Sequence, residues 1–126
     1  MDIRLKRVYE KPEPGDGTRI LVDRLWPRGL SKQAAKIDYW AKMISPSSEL
    51  RKWYGHDPAK WAEFQQRYAA ELDGQAAEVA LLLKKMEQGP ATFLYGSTEK
   101  QLNNAHALKI YLEKSDIFRN LQQDEK

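Results

Sequence analysis

Arg19-Ile20-Leu21-Val22-Asp23-Arg24-Leu25-Trp26-Pro27-Arg28-Gly29 is the stretch that constrains the architecture most tightly. Ile20, Leu21 and Val22 are consecutive and leave neither face of a strand wet. Arg19 to Trp26 therefore reads as a strand near the centre of a sheet covered on both sides. The apolar run ends in Asp23 and Arg24, breaks at Trp26-Pro27, and turns through Arg28 and Gly29. Charged groups at the end of a buried strand are costly unless they pair or bind something. This turn is where a site is expected, and its two arginines suit an anionic ligand.

Upstream, Ile3 to Tyr9 alternates Ile3 and Leu5 with Arg4 and Lys6, the pattern of a strand with one partly wet side. Lys11 to Gly17 is rich in proline and glycine and forms turns. It is short for a parallel crossover, which needs about a dozen or more residues, so the pairing of the first two strands stays open. Downstream, Ser31 caps a short helix through Lys36. Residues 37–44 fit neither helical nor strand period. Ser47 or Ser48 starts a helix holding Leu50, Trp53 and Tyr54.

Asp57 with Pro58 behind it marks a helix start, followed by a core stripe of Trp61, Phe64, Tyr68 and Leu72. A further helix runs from Ala76 to Gln88, and Ala91 to Tyr95 is a compact strand. Gly96-Ser97-Thr98 then turns into a last helix that carries Asn103 in its first or second turn. This order predicts a small α/β layered domain over residues 1–114, with a short, mainly parallel sheet flanked by helices. From Ser115 the chain is polar, and 115–126 reads as a fraying tail.

The chain has 126 residues, a formal net charge of +3 and no cysteine. One domain of this size buries a single core. Disulfides, thiolate metal sites and thiol catalysis are excluded. No stretch has the length and apolarity of a membrane span and the N-terminus lacks a signal-peptide pattern, so a cytoplasmic protein without a membrane partner is expected. The mild positive charge permits anionic partners. Arg4, Lys6, Arg7, Lys11 and Arg19 read as a solvated strand face; nucleic acid is an option that no recognisable binding motif supports.

Several motifs together resemble one family. They are Lys6-Arg7-Val8-Tyr9, the Asp23 to Gly29 turn, Ser47-Ser48-Glu49-Leu50-Arg51-Lys52-Trp53, Gly55-His56-Asp57-Pro58, Leu94-Tyr95-Gly96 and Asn103-Asn104-Ala105. The combination is similar to the YeaO-like branch of the DUF488 family, and the resemblance runs to about Glu113. It implies a compact Rossmann-like α/β domain of the kind found in uncharacterised bacterial proteins, with no agreed substrate. Some family members carry a histidine just before the Asn-x-Ala motif, where this chain has Leu102. That departure argues against a catalytic histidine in the last helix.

Each candidate residue has a chemical and a structural reading. Arg24 and Arg28 either converge on a phosphate or carboxylate, which suits the bidentate guanidinium, or tie the turn to an acid and to Trp26. Asp23 is a candidate general base or a residue that orients an arginine. His56, at a helix junction, is the other candidate acid or base; otherwise it bonds a carbonyl or faces solvent. Trp26 stiffens the turn or stacks on a base, and Gly29 supplies positive φ.

Tyr95 and Ser97 lie between a strand end and a helix start, where exposed N–H groups favour anions; the alternative is an ordinary capped turn. Asn103 bonds either ligand or loop. His106 reads as solvent-facing. Two distant histidines without clustered carboxylates make no metal site, and no cofactor is implied. The leading reading is a small enzyme or ligand-processing domain for a phosphorylated, nucleotide-like or carboxylated compound. The other is a non-enzymatic sensing or docking domain. The sequence leaves the oligomeric state open.

Overall fold

The computed structural model describes residues 2–114; the tail expected over 115–126 lies outside the described residues. Four parallel strands, β1 (Ile3–Arg7), β2 (Thr18–Leu21), β3 (Tyr39–Trp40) and β4 (Ala91–Tyr95), form one sheet in the order β1-β4-β2-β3. Phe93 of β4 stands between Leu5 of β1 and Ile20 of β2, and Ile20 pairs onward with Tyr39. The helices are α1 (Lys32–Ala35), α2 (Ser48–Tyr54), α3 (Trp61–Asp73), α4 (Ala76–Met86) and α5 (Asn104–Lys114), with short 3-10 turns at Pro14–Asp16, Lys42–Ile44 and Pro58–Lys60.

Ile20, Leu21 and Val22 are all fully buried, as a central strand requires. Side chains alternate across a strand, so the three divide between the faces. Ile20, Val22 and Phe93 join the main core with Leu50 and Tyr54 of α2, Phe64, Tyr68 and Leu72 of α3, Leu82 and Met86 of α4, and Leu108 and Leu112 of α5. Leu21 and Leu94 face the other way. They pack with Val8 under Trp26, Leu30, Ile37 and Trp40. One face of the sheet therefore carries the longer helices, and the other is roofed by the segment around α1. Residues 37–44 fit no single period because they change form: Tyr39 and Trp40 add a strand at the edge, and a 3-10 turn follows at once.

The short β1–β2 connection is a parallel crossover that also spans β4, which lies between the two strands. Residues 8–17 make it without an α-helix, and β1 side chains hold them in place. Arg4 Nη1 donates to Gly15 O at 2.6 Å, while Lys6 Nζ donates to Lys11 O at 2.7 Å and pairs with Glu13 (2.9 Å) and Asp16 (3.2 Å). Arg19 is buried against Asp16 and donates to Ala35 O and Lys36 O. The expectation of a solvated basic face is thus corrected at Lys6 and Arg19, whose charges are used inside the fold.

The last helix also begins later than the sequence suggests. Residues 96–103 form an irregular loop, and α5 starts at Asn104. Among the described residues no helix is long and apolar enough to cross a membrane.

Candidate functional site

Because the strands are parallel, the carboxyl ends of β2 and β4 open on the same edge of the sheet, the usual place for a ligand crevice in α/β domains. A pocket of about 580 Å³ lies there, within the size range of small-molecule sites. Asp23, two residues beyond β2, lines it and is fixed at both oxygens. Oδ2 accepts the Gly96 N–H at 2.7 Å and Oδ1 accepts the Asn104 side-chain amide at 3.0 Å. The Asp23 carbonyl accepts the Trp40 indole N–H at 2.7 Å. One residue thereby ties the ends of β2 and β4 to the first turn of α5. Gly96 allows this closeness, since a Cβ there would lie only 3.3 Å from Asp23 Oδ2. Burial raises the Asp23 carboxyl above its ordinary pKa; the two hydrogen bonds and the charges of Arg51 and His56 oppose that rise without cancelling it.

Three cations reach the same pocket: Arg28 from the turn, and Arg51 and Lys52 from α2. Among the described residues, none of the three side chains makes a hydrogen bond or ion pair. His56 also lines the pocket; its backbone is left-handed, with φ of 57°, and its ring lies 6.0 Å from that of Tyr54. Tyr54 is held by its hydroxyl, which donates to Leu102 O at 2.9 Å. Tyr95 is different. Its residue is only 4 % exposed, yet its hydroxyl bonds no described group and is not sealed from solvent. It lines the pocket with a polar atom to spare.

The expected site residues divide into two groups. Asp23, Trp26, Arg28 and His56 line the pocket, as do Tyr95, Ser97 and Asn103. Arg24 does not. Its Nε and Nη2 donate to Pro46 O at 3.2 Å and Ser45 O at 3.0 Å, so it braces the segment before α2 instead of standing beside Arg28. Gly29 also lies outside the lining; its φ of 78° is a backbone requirement of the turn. Trp26 is anchored by its indole N–H to Leu30 O and packs edge-on against Trp40 at 5.5 Å.

Ser97 is not at a helix start. Its Oγ accepts the Glu99 N–H, and its carbonyl accepts Arg7 Nε, which braces the loop from β1. Asn103 bonds the loop. Nδ2 donates to Glu99 O at 2.9 Å, and Oδ1 caps α5 by accepting the His106 N–H at 2.9 Å. His106 lies in the first turn of α5; its ring N–H donates to Gln101 O, and the ring sits 6.0 Å from Trp61.

Sequence reading missed Tyr9, Arg51, Lys52 and Asn104. The cations of α2 had one available signal: Leu50 and Tyr54 turn inward, which leaves Arg51 and Lys52 on the side that faces away from the core. Asn104 had another, since only one of two adjacent asparagines can serve as the cap.

Asn103→Ala removes both the cap and the loop tie. It is expected to cost about 1–2 kcal/mol, measurable as a lower midpoint in urea. A change within about 0.3 kcal/mol, near the scatter of ordinary surface substitutions, contradicts this role. Among the described residues no three His, Asp or Glu side chains gather as a metal set.

The chain matches the family model described as "Inactive DUF488-N3 subclade" over residues 2–125. It is 42% identical to "Uncharacterized protein YeaO" of Escherichia coli K12 over 112 residues, covering 89% of this chain and 97% of that protein. It is 48% identical over 75 residues to "Uncharacterized protein Rv3073c" of Mycobacterium tuberculosis and to "Uncharacterized protein Mb3100c" of Mycobacterium bovis, covering 60% of this chain and 64% of each. No solved structure matches significantly.

Proposed function

This chain belongs to the YeaO-like branch of the DUF488 family, and we propose that its pocket binds a small anionic compound, as a sensing or carrier domain and not as a catalyst. The observation that carries this reading is the gathering of Arg28, Arg51 and Lys52, with no hydrogen bond or ion pair of their own among the described residues, around one pocket at the strand ends. Guanidinium and ammonium groups left in this state pair readily with phosphate or carboxylate.

Two features favour binding over catalysis. Asp23 is the sole carboxylate among the lining residues, and both its oxygens already hold structural hydrogen bonds. Protonating Asp23 would weaken the two bonds it accepts, and these tie β2 and β4 to α5. The description of the matching family as an inactive subclade points the same way. The enzymatic reading rests on Asp23 and His56 lining one pocket, with the carboxyl pKa raised. Turnover that is lost in both Asp23→Asn and His56→Ala would establish it.

The test is a thermal-shift titration with inorganic phosphate and citrate at low ionic strength. A ligand at 100 times its dissociation constant adds about 2.7 kcal/mol to stability. Arg28→Ala and Arg51→Ala are each expected to remove most of that gain while leaving the ligand-free midpoint nearly unchanged, because neither guanidinium holds the fold together. No stabilisation by either anion, or stabilisation retained in both variants, refutes the reading.

A further inference from the structure

The pocket is much larger than the anion its cations would hold. At about 580 Å³ it has the volume of roughly twenty waters at ~30 Å³ each, whereas a phosphate would occupy only a small part of it. The rest is lined by groups of another kind. Tyr9, Trp26 and Tyr54 present aromatic surface, and Tyr95 brings the hydroxyl that bonds no described group. Each oxygen of Asp23 accepts one hydrogen bond and keeps a lone pair, and the Asn104 side-chain amide oxygen has no described donor.

These groups define a chemistry. A half-buried carboxylate and an amide oxygen call for hydrogen-bond donors on the ligand, such as hydroxyl, ring N–H or amino groups. Aromatic walls accommodate a planar ring. The carboxylate also disfavours a second anionic group next to it, so the negative charge belongs at the cations and not along the whole ligand.

Building on the anion-binding reading, we propose that the ligand is a phosphate monoester carrying a planar base, in the class of nucleoside monophosphates. The phosphate meets Arg28, Arg51 and Lys52, while donors on the sugar or base meet Asp23, Asn104 and the Tyr95 hydroxyl. Tyr95 is then a specificity residue. Its hydroxyl supports nothing in the fold and serves only the ligand.

Isothermal titration of the full chain with inorganic phosphate, ribose 5-phosphate and the common nucleoside monophosphates separates the two levels of this reading. At least one nucleoside monophosphate is expected to bind tenfold or more tightly than both inorganic phosphate and ribose 5-phosphate. Tyr95→Phe is expected to cut that advantage by about fivefold or more, without changing the affinity for inorganic phosphate or the thermal midpoint. If no nucleoside monophosphate reaches a tenfold advantage, or the advantage survives intact in Tyr95→Phe, the ligand class is overturned while the anion site stands. If neither a phosphorylated compound nor citrate binds, both readings fail.

Discussion

Asp16→Ala is expected to destabilise the domain by about 3–5 kcal/mol and to lower the thermal midpoint by roughly 10–20 °C. Asp16 is 5 % exposed and Arg19 4 %, and their side chains are directly bonded. Asp16 also pairs with Lys6 at 3.2 Å and accepts the Glu13 N–H at 3.0 Å. Its removal leaves the Arg19 guanidinium buried without a counter-charge. Breaking one partner of such a pair costs far more than replacing both with apolar groups. The double variant Asp16→Leu with Arg19→Met is therefore expected to be more stable than Asp16→Ala alone. If the single variant loses less than about 1 kcal/mol, or the double loses more than the single, the cluster does not act as a coupled charge pair.

The same cluster sets a pH dependence. Burial alone would raise the Asp16 pKa, but the Glu13 N–H and the bonds from Lys6 and Arg19 outweigh it and hold the carboxyl below its ordinary value. An acid with a depressed pKa in the folded state binds fewer protons there than in the unfolded chain. Its contribution is fully present above the unfolded value, about 3.9, and is lost as pH falls through the lower folded value. The wild-type protein should lose stability on acidification below about pH 4, with a flatter profile for Asp16→Ala in that range.

Gly17→Ala is expected to cost at least about 3 kcal/mol, and loss of soluble protein is a consistent outcome. Gly17 has φ 64° and ψ −136°, a region that side chains rarely adopt. A Cβ there would stand 2.0 Å from the Pro90 carbonyl oxygen, which accepts the Thr18 N–H at 2.9 Å and sets the first rung between β2 and β4. Relief requires moving backbone, so the clash and the lost rung add to the conformational strain. Gly89→Ala provides a comparison: its φ is 139°, but no atom lies within 4 Å of the added Cβ. Chemical denaturation should rank Gly17→Ala well below Gly89→Ala. Equal midpoints would mean that the strand junction yields easily.

Much of the fold was legible from local pattern. The apolar triplet at Ile20 to Val22 announced a sheet covered on both faces. Ser31, Ser47 and Asp57 all cap as their positions suggested, with side-chain oxygens accepting the N–H of Ala34, Leu50 and Ala59. Strand order was not legible, because it depends on β4, more than seventy residues further along, inserting between β1 and β2. The turn was correctly singled out, yet its two arginines could not be told apart in sequence. Arg24 found backbone carbonyls and Arg28 found open space, and that difference comes from the path of residues 45–46. Arg51, Lys52 and Asn104 carry only weak local signals, helix phase and a paired asparagine, and tertiary folding is what brings each to the pocket.

Asp16 and Gly17, which fix how the chain enters β2, lie before its first residue, whereas the pocket gathers after its last. Substitutions at Arg28 or Arg51, or removal of the Tyr95 hydroxyl alone, therefore fall among groups that carry little of the folding free energy. A protein arranged in this way can change what it recognises through single exchanges at one end, while the other end keeps the scaffold intact.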